Sequence, residues 1–243
     1  TGGTGDGQFW WPSALAFDSE DRFYVADEAL QRVSIFTKAG ELLGQWGSHG
    51  SQDGQLDRPS AMAFDSEDNM YLTDSLNHRV QKFSKDGTFL GKWGEAGDGP
   101  GQFNMPWGVA VDGKGDVFVT DWRNDRVQKF DTDGRFLMTF GSSGSREGEF
   151  NHPNGITVDG DGDIDIVSAS WADSTIAWYE NDGAADPTWT AANIATSASG
   201  AYSVYVADMD GDGDLDIVSA SKTDDTIAWY ENNGAADPSW VAA

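Results

Sequence analysis

The feature that most constrains the fold is an internal repeat with a period of 47 residues. Several unrelated residue types recur at this interval, each in its own phase. They include the prolines Pro12, Pro59, Pro106 and Pro153 and the aspartates Asp18, Asp65, Asp112 and Asp159. A Gly-Gln-Phe signature at residues 7–9 also returns, with small changes, in the next three units. Such agreement indicates one supersecondary unit built several times.

A second repeat with an interval of 51 residues replaces the first near residue 159. Asp161–Ser170 returns as Asp212–Ser221 with one change, and Thr175–Asn181 returns unchanged as Thr226–Asn232. Together the two intervals divide the chain into five whole units. Their bounds are 1–47, 48–94, 95–141, 142–192 and 193–243.

Each unit contains four short apolar segments separated by turn residues. In the third unit these predicted strands are Trp107–Val111, Asp116–Thr120, Arg126–Phe130 and Arg135–Phe140. The last two are joined by Thr132-Asp133-Gly134, a tight turn in which glycine takes a positive φ. Short strands, frequent turns and this period are typical of propeller blades. We therefore predict an all-β, five-bladed β-propeller of four-stranded antiparallel blades, forming a single domain over residues 1–243.

The first 158 residues carry the marks of one known repeat family. The third unit shows them in Pro106–Asp112, Val117–Asp121 and Asn124–Phe130, and the second repeats them through Asp74, Asn77 and Arg79. These segments resemble NHL repeats. The resemblance implies three NHL-like blades at 1–47, 48–94 and 95–141, and the start of a fourth.

From residue 159 onward the chain resembles FG-GAP or VCBS repeats, whose mark is an Asp-x-Asp-x-Asp-Gly-x-x-Asp turn. Asp208–Asp216 fits this pattern fully, whereas the turn before it has Thr157 at the first position. The resemblance implies calcium bound by side chains in both turns, with the carbonyl groups of Asp163 and Asp214 as further ligands. The implied side-chain ligands are Asp159, Asp161, Asp165, Asp208, Asp210, Asp212 and Asp216. Calcium accepts six to eight oxygens from a flexible loop; a solvated acidic turn without metal is the alternative, and magnesium is less suitable.

The boundary between the two families lies inside the fourth unit, with no linker. This makes 142–192 a hybrid blade and 193–243 a VCBS-like blade. The in-frame junction indicates an engineered chimera or a reconstructed intermediate, and a natural hybrid is the alternative. A natural protein of this kind is expected outside the cell, and an engineered one in the cytoplasm of an expression host.

The composition restricts which ligands and macromolecules the chain is expected to bind. The chain has no cysteine, which excludes disulfides and thiolate metal sites, and its net charge of −26 disfavours broad binding to nucleic acids or anionic membranes. The charge is uneven, because residues 142–243 hold 19 acidic and 2 basic side chains. A bound cation is the physical expectation for this part of the chain.

Other chemically distinctive residues have a structural and a functional interpretation. Asp27, Asp74 and Asp121, with Arg32, Arg79 and Arg126, are expected to hold the fold together. The histidines His49, His78 and His152 lie in different phases, so no zinc site is expected. Exposed tryptophans are candidates for a ligand face, with packing between blades as the alternative: Trp10, Trp11, Trp107, Trp122 and Trp171. The candidate members of a local basic patch are Arg58, Arg79, Arg123 and Arg126.

The sequence therefore predicts a monomeric, non-enzymatic propeller scaffold that binds calcium through the aspartates of its C-terminal blades. Two other functions stay open. The first is an extracellular module that binds a protein or a glycan at the propeller face. The second is a calcium-dependent hydrolase or lyase.

Overall fold

The structure is a computed structural model. It describes residues 2–146, 148–158, 166–170, 172, 174–181, 189–207, 209–210, 216–232 and 240–242. Within these ranges, strands form five four-stranded sheets, and each sheet contains consecutive strands in chain order. The predicted fold class, an all-β five-bladed β-propeller with antiparallel blades, is confirmed.

The first three blades follow the 47-residue repeat closely. Blade 1 contains β1 (Pro12–Phe17), β2 (Phe23–Asp27), β3 (Arg32–Phe36) and β4 (Leu42–Trp46). Blade 2 contains β5 (Pro59–Phe64), β6 (Asn69–Asp74), β7 (Arg79–Ser84) and β8 (Phe89–Trp93). Blade 3 contains β9 (Pro106–Val111), β10 (Val117–Asp121), β11 (Arg126–Phe130) and β12 (Phe136–Phe140). The strands predicted for the third unit agree with these bounds to within one residue.

The last two blades use longer second hairpins. Blade 4 contains β13 (Pro153–Val158), β14 (Ile166–Ser170), β15 (Thr175–Asn181) and β16 (Trp189–Ala195). Blade 5 contains β17 (Ala201–Ala207), β18 (Asp216–Ser221), β19 (Thr226–Asn232) and β20 (Trp240–Ala242). In the part of the chain that the structure describes, helical residues form short 3₁₀ turns at Ser75–Asn77 and Trp122–Asn124. None of the described helices is long and apolar enough to cross a membrane.

The chain divides into two compact units. Unit 1 consists of residues 1–123 and 128–138, and unit 2 of residues 124–127 and 139–243. In unit 1, apolar side chains from facing blades share one cluster, in which Met62 and Phe83 of blade 2 pack with Tyr24 of blade 1. In unit 2, Val204 of blade 5 packs with Val167 and Ile176 of blade 4. Strands buried on both sides explain why the sequence does not alternate cleanly between apolar and polar residues.

The Gly-Gln-Phe motif folds the loop that precedes each of the first four blades. An isolated parallel bridge closes each such loop, for example between His49 and Leu56. The bridge residues Leu56, Phe103 and Phe150 are fully buried. The glutamine accepts a hydrogen bond from a backbone N–H three residues earlier, as Gln55 Oε1 does from Gln52 at 3.0 Å. The motif is therefore a loop anchor.

Candidate functional site

The start of the first strand and the end of the second strand meet at one end of every blade. Because the two strands are antiparallel, Pro106 in β9 pairs with Asp121 in β10, and Pro59 in β5 pairs with Asp74 in β6. The loop before the first strand and the turn after the second strand therefore lie side by side. At this end of unit 1, two arginines and two tryptophans lie close together.

Two arginines and two tryptophans of unit 1 form a stack at this end, here called the arginine–tryptophan stack: Arg58, Trp107, Trp122 and Arg123. The ring centroids of Trp107 and Trp122 are 5.9 Å apart. The guanidinium carbon of Arg58 lies 4.8 Å from the Trp107 ring centroid, and that of Arg123 lies 5.3 Å from the Trp122 ring centroid. Arg58 Nε also donates to Glu28 Oε2 at 3.0 Å, which fixes the orientation of its guanidinium group.

The stack arises where blade 3 departs from the repeat. Trp107 and Trp122 stand where blade 2 has Ser60 and Ser75. Those serines are buried and their hydroxyl oxygens are 2.6 Å apart, so they form a small internal contact. Where blade 2 has these serines, blade 3 therefore has two half-buried indole rings in contact with each other. This paired departure from the repeat is the sequence signal for the site.

The other tryptophans that the sequence singles out take different positions. Trp10 and Trp11 are each 62% exposed and precede β1. Their backbone N–H groups donate to the carboxylate of Asp27, so the loop that carries them is tied to the end of β2. Trp171 lies outside the described residues.

The repeated aspartates and arginines hold loops together, as predicted. Arg79 Nε donates to Asp74 Oδ2 at 2.7 Å, and both side chains are buried. The rest of the Arg79 guanidinium group donates to three carbonyl groups of the loop before blade 2. In blade 4, Ser170 takes the position of these aspartates and exchanges hydrogen bonds with the backbone of Asn151. A structural role for this position is therefore confirmed.

The three histidines make separate contacts. His78 Nδ1 accepts a hydrogen bond from the N–H of Met105 at 3.2 Å, while His49 Nδ1 lies 3.9 Å from Asp57 Oδ1. His152 Nδ1 contacts Asn151 Oδ1 at 2.8 Å. Across the described ranges, no three His, Asp or Glu side chains cluster closely enough to hold a metal ion.

Most of the predicted calcium ligands lie outside the described residues: Asp159, Asp161, Asp163, Asp165, Asp208, Asp212 and Asp214. Of the remaining two, Asp210 is exposed and Asp216 is buried at the start of β18. The Asp216 carboxylate accepts N–H groups from Met209 at 3.0 Å and from Asn232 at 2.9 Å. These bonds tie the end of the acidic turn to the neighbouring strand β19.

In the corresponding turns of blades 1 and 2, nearby side chains donate hydrogen bonds to the first aspartate of the turn. Burial raises the pKa of Asp18, but hydrogen bonds from Arg22 and Tyr24 outweigh burial and hold this pKa below its ordinary value. Burial likewise raises the pKa of Asp65, and hydrogen bonds from Asn69 and other donors hold it low. In both turns, side-chain donors therefore stabilise the charged carboxylate.

In the turn of blade 3, hydrogen bonds do not offset the effect of burial on the pKa of the aspartate. Burial raises the pKa of Asp112, and among the described residues no donor reaches its buried Oδ2 atom. The ammonium group of Lys129 lies 2.7 Å from Oδ2 of the adjacent Asp116. In blade 2, Lys82 Nζ lies 3.8 Å from Asp65 Oδ2. A lysine or arginine therefore accompanies the aspartates in each of the three NHL-like turns.

Comparison with known proteins confirms the two repeat families in this one chain. The model of the NHL repeat matches residues 103–130, and the model of the FG-GAP-like repeat matches residues 158–219. A search of curated proteins finds no match to the chain.

Several solved structures share the fold at low sequence identity. One is a catalytically inactive histidine-to-alanine variant of virginiamycin B lyase from Staphylococcus aureus with quinupristin, at 14% identity and a TM-score of 0.66, covering 93% of this chain and 68% of that one. Hydrazine synthase of Kuenenia stuttgartiensis gives 10% identity and a TM-score of 0.68, covering 99% and 68%. A nidogen/laminin complex gives 16% identity and a TM-score of 0.65, covering 90% and 75%.

These neighbours correct one prediction. The sequence leads to the expectation that the chain is not an enzyme. Structures of the same fold include a streptogramin B lyase and virginiamycin B lyase. The expectation is therefore wrong as an inference from the repeat families, because the chemistry of a propeller depends on its loops, which vary independently of the fold.

Proposed function

We propose that this chain is a glycan-binding β-propeller that uses the arginine–tryptophan stack of unit 1. The observation that carries the proposal is the contact of Trp107 with Trp122, bordered by the guanidinium groups of Arg58 and Arg123. Indole rings offer apolar surface to the C–H face of a sugar, and guanidinium groups offer planar sets of N–H donors to its hydroxyl or carboxylate groups. The stack combines both at one end of the blades.

The local charge also favours such a ligand over a nucleic acid. The stack is a small basic area in a chain with a net charge of −26. A long polyanion would be repelled by this net charge, whereas a neutral oligosaccharide would not. Leu76, which is 45% exposed in the 3₁₀ turn of blade 2, adds apolar surface on the equivalent turn of the neighbouring blade.

Binding is tested with a glycan array, followed by calorimetry with cellotetraose and a hyaluronan tetrasaccharide as neutral and acidic probes. We expect Trp122→Ala to weaken binding at least about tenfold, since a central aromatic contact contributes more than about 1.4 kcal/mol. Mass spectrometry of the incubated probes detects any turnover. Arg58→Gln is expected to weaken the acidic probe more than the neutral one.

Two variants serve as matched controls. Arg135→Gln removes an exposed arginine from the hairpin at the opposite end of blade 3, and Leu90→Ala truncates an exposed side chain of β8. Neither is expected to change the affinity. Equal binding by Trp122→Ala and the unchanged chain would contradict the proposal, as would an array without any bound glycan.

We also propose that the acidic turns of blades 4 and 5 bind calcium. The observation that favours it is the contrast between the two kinds of turn. Each NHL-like turn has a positive side chain beside its aspartates, such as Arg22 or Lys129. The matching turns of residues 157–165 and 208–216, and the third strands Thr175–Asn181 and Thr226–Asn232 that follow them, contain no basic residue. Clustered carboxylates repel one another without a cation, and calcium prefers oxygen ligands of this kind.

Calcium binding is tested by thermal melts followed by circular dichroism, in EDTA and in excess calcium, with magnesium for comparison. At a hundredfold excess over the dissociation constant, binding to the folded state adds about 2.7 kcal/mol. We expect Asp212→Ala to lose most of this gain. Glu231→Ala removes the same charge from an exposed position of β19 and is expected to keep it. An identical calcium shift in both variants argues against a site in blade 5.

The two family matches also support a hybrid origin. One ends at residue 130 in blade 3, and the other begins at residue 158, the last residue of β13 in blade 4. We propose recombination within this blade as the source of the chain.

A further inference from the structure

The two guanidinium groups of the arginine–tryptophan stack have different surroundings. Arg58 is held by two side chains of blade 1, because its Nε donates to Glu28 Oε2 at 3.0 Å and its backbone N–H donates to Gln31 Oε1 at 2.7 Å. Gln31 Nε2 in turn donates to the carbonyl group of Glu28 at 2.8 Å. The side chains of Glu28 and Arg58 are only 19% and 37% exposed. Arg58 therefore has a fixed position, and a carboxylate compensates its charge.

Arg123 lies at the other end of the stack, on the 3₁₀ turn that follows β10, and is exposed. Its guanidinium carbon lies 5.3 Å from the Trp122 ring centroid. In the part of the chain that the structure describes, no acidic side chain forms an ion pair with it. Blades 1 and 2 have Ala29 and Leu76 at this position of the repeat, so Arg123 is not one of the arginines that hold the loops together. Its N–H donors are therefore available to a ligand.

The charges of these side chains restrict the kind of ligand that fits. Glu28 offsets the charge of Arg58, so the positive charge of Arg123 is the one that remains at the stack. The chain as a whole has a net charge of −26, which disfavours a ligand of high negative charge. A sugar that brings one negative group to Arg123 and its C–H face to an indole ring meets both conditions.

We propose that the stack binds glycans that contain a uronic acid, and that Arg123 binds the carboxylate of this sugar. The inference rests on the glycan-binding function proposed above. A guanidinium group and a carboxylate are both planar and form two parallel N–H···O hydrogen bonds, a stronger and more directional contact than one to a hydroxyl group. Trp122 lies beside Arg123, so a sugar ring stacked on this indole brings its own carboxylate to the guanidinium group. Glu28 acts as a positioning residue, which orients Arg58 and limits the positive charge of the stack.

Calorimetry with two forms of one ligand tests the proposal: the hyaluronan tetrasaccharide, and the same tetrasaccharide with its carboxylates converted to methyl esters. We expect the charged form to bind at least about tenfold more tightly, since hydrogen bonds to charged groups are the stronger kind. Arg123→Gln is expected to abolish this preference and to change the affinity for the ester little. The matched control Arg135→Gln removes the same charge from the opposite end of blade 3 and is expected to keep the preference.

Glu28→Gln is expected to act in the opposite direction. The glutamine Oε1 atom still accepts the hydrogen bond from Arg58, whereas the negative charge that compensated Arg58 is lost. We expect the charged tetrasaccharide to bind about two- to fivefold more tightly and the ester to bind as before. If Glu28 has a structural role alone, both forms bind more weakly to this variant, or neither changes, and its assignment as a positioning residue is wrong.

The outcomes separate this inference from the glycan-binding function. Equal affinity for the two forms, or an equal loss for both in Arg123→Gln, overturns the assignment of the carboxylate to Arg123 while Trp122→Ala still weakens binding. Binding of arrayed glycans that lack a uronic acid, without binding of either tetrasaccharide form, overturns it as well. An array without any bound glycan, or unchanged binding in Trp122→Ala, contradicts the proposed function and this inference together. Circular dichroism melts check that each variant keeps its β structure.

Discussion

Replacing Asp74 by alanine is expected to lower the free energy of unfolding by about 3–5 kcal/mol, the range measured when one partner of a buried ion pair is removed. Asp74 is fully buried at the end of β6. Its carboxylate accepts hydrogen bonds from the backbone N–H of Asp57 at 2.6 Å and from Arg79 Nε at 2.7 Å. The side-chain amides of Asn77 and Gln81 donate to it at 2.9 and 3.0 Å. Alanine would leave all four donors without this acceptor.

The expected loss of stability arises from the burial of the Asp74 network as much as from the charge of Asp74. Burial raises the pKa of Asp74, so keeping the carboxylate charged costs free energy that its hydrogen-bond donors offset in part. Without the carboxylate, the positive charge of Arg79 stays buried and uncompensated. Urea unfolding measures the change. The control is Asp53→Ala, which breaks an exposed pair with Lys92 and is expected to change the stability by less than about 0.5 kcal/mol. Similar losses for both variants would show that the Asp74 network does not stabilise the fold.

Substitution of Gly134 by alanine is expected to be the second large effect. Gly134 ends the hairpin turn between β11 and β12 with a φ of +82°, which is unfavourable for any residue with a Cβ atom. A Cβ added there would lie 2.5 Å from Cδ2 of Trp93, whose indole ring comes from the preceding blade and covers the turn. The backbone conformation costs about 1–2 kcal/mol and the crowding costs about 1–3 kcal/mol more.

Gly40 separates these two contributions. It occupies the same position of the repeat in blade 1, with a φ of +85°, and nothing lies within 4 Å of a Cβ added to it. Gly40→Ala is therefore expected to lose only the backbone contribution. Thermal or urea unfolding of both variants gives the crowding contribution as a difference. Equal losses would mean that Trp93 moves aside without cost.

Part of the candidate site was predictable from the sequence. Trp107 and Trp122 were candidates for a ligand face from their residue type and their places after a loop and after a strand. Their contact was not predictable, because it depends on the pairing of Pro106 with Asp121, which brings the two ends together. The guanidinium group of Arg58 reaches Trp107 from the loop before the neighbouring blade. The repeat period in the sequence does not show in which direction a side chain such as that of Arg58 points.

For the acidic turns, in contrast, the candidate ligands were predictable from the residue pattern alone. Their residue pattern led directly to Asp208–Asp216 and to the weaker turn at residues 157–165 as calcium ligands. What the structure adds is the buried Asp216, whose carboxylate ties its turn to β19 through Asn232. It also adds the comparison with Asp18 and Lys129, where a basic side chain stands near the carboxylates of the turn.

The sequence by itself determined the five blades, their strands and their turns, because strand pairing and turn formation within a blade depend on residues close together in the chain. Only the tertiary structure decided which copy of a repeated position is buried. Thr175–Asn181 and Thr226–Asn232 have identical sequences and form the same kind of strand. Yet Ile176 is fully buried and Ile227 is 79% exposed. Burial depends on whether another blade lies against the strand, and seven identical residues contain no information about that neighbour.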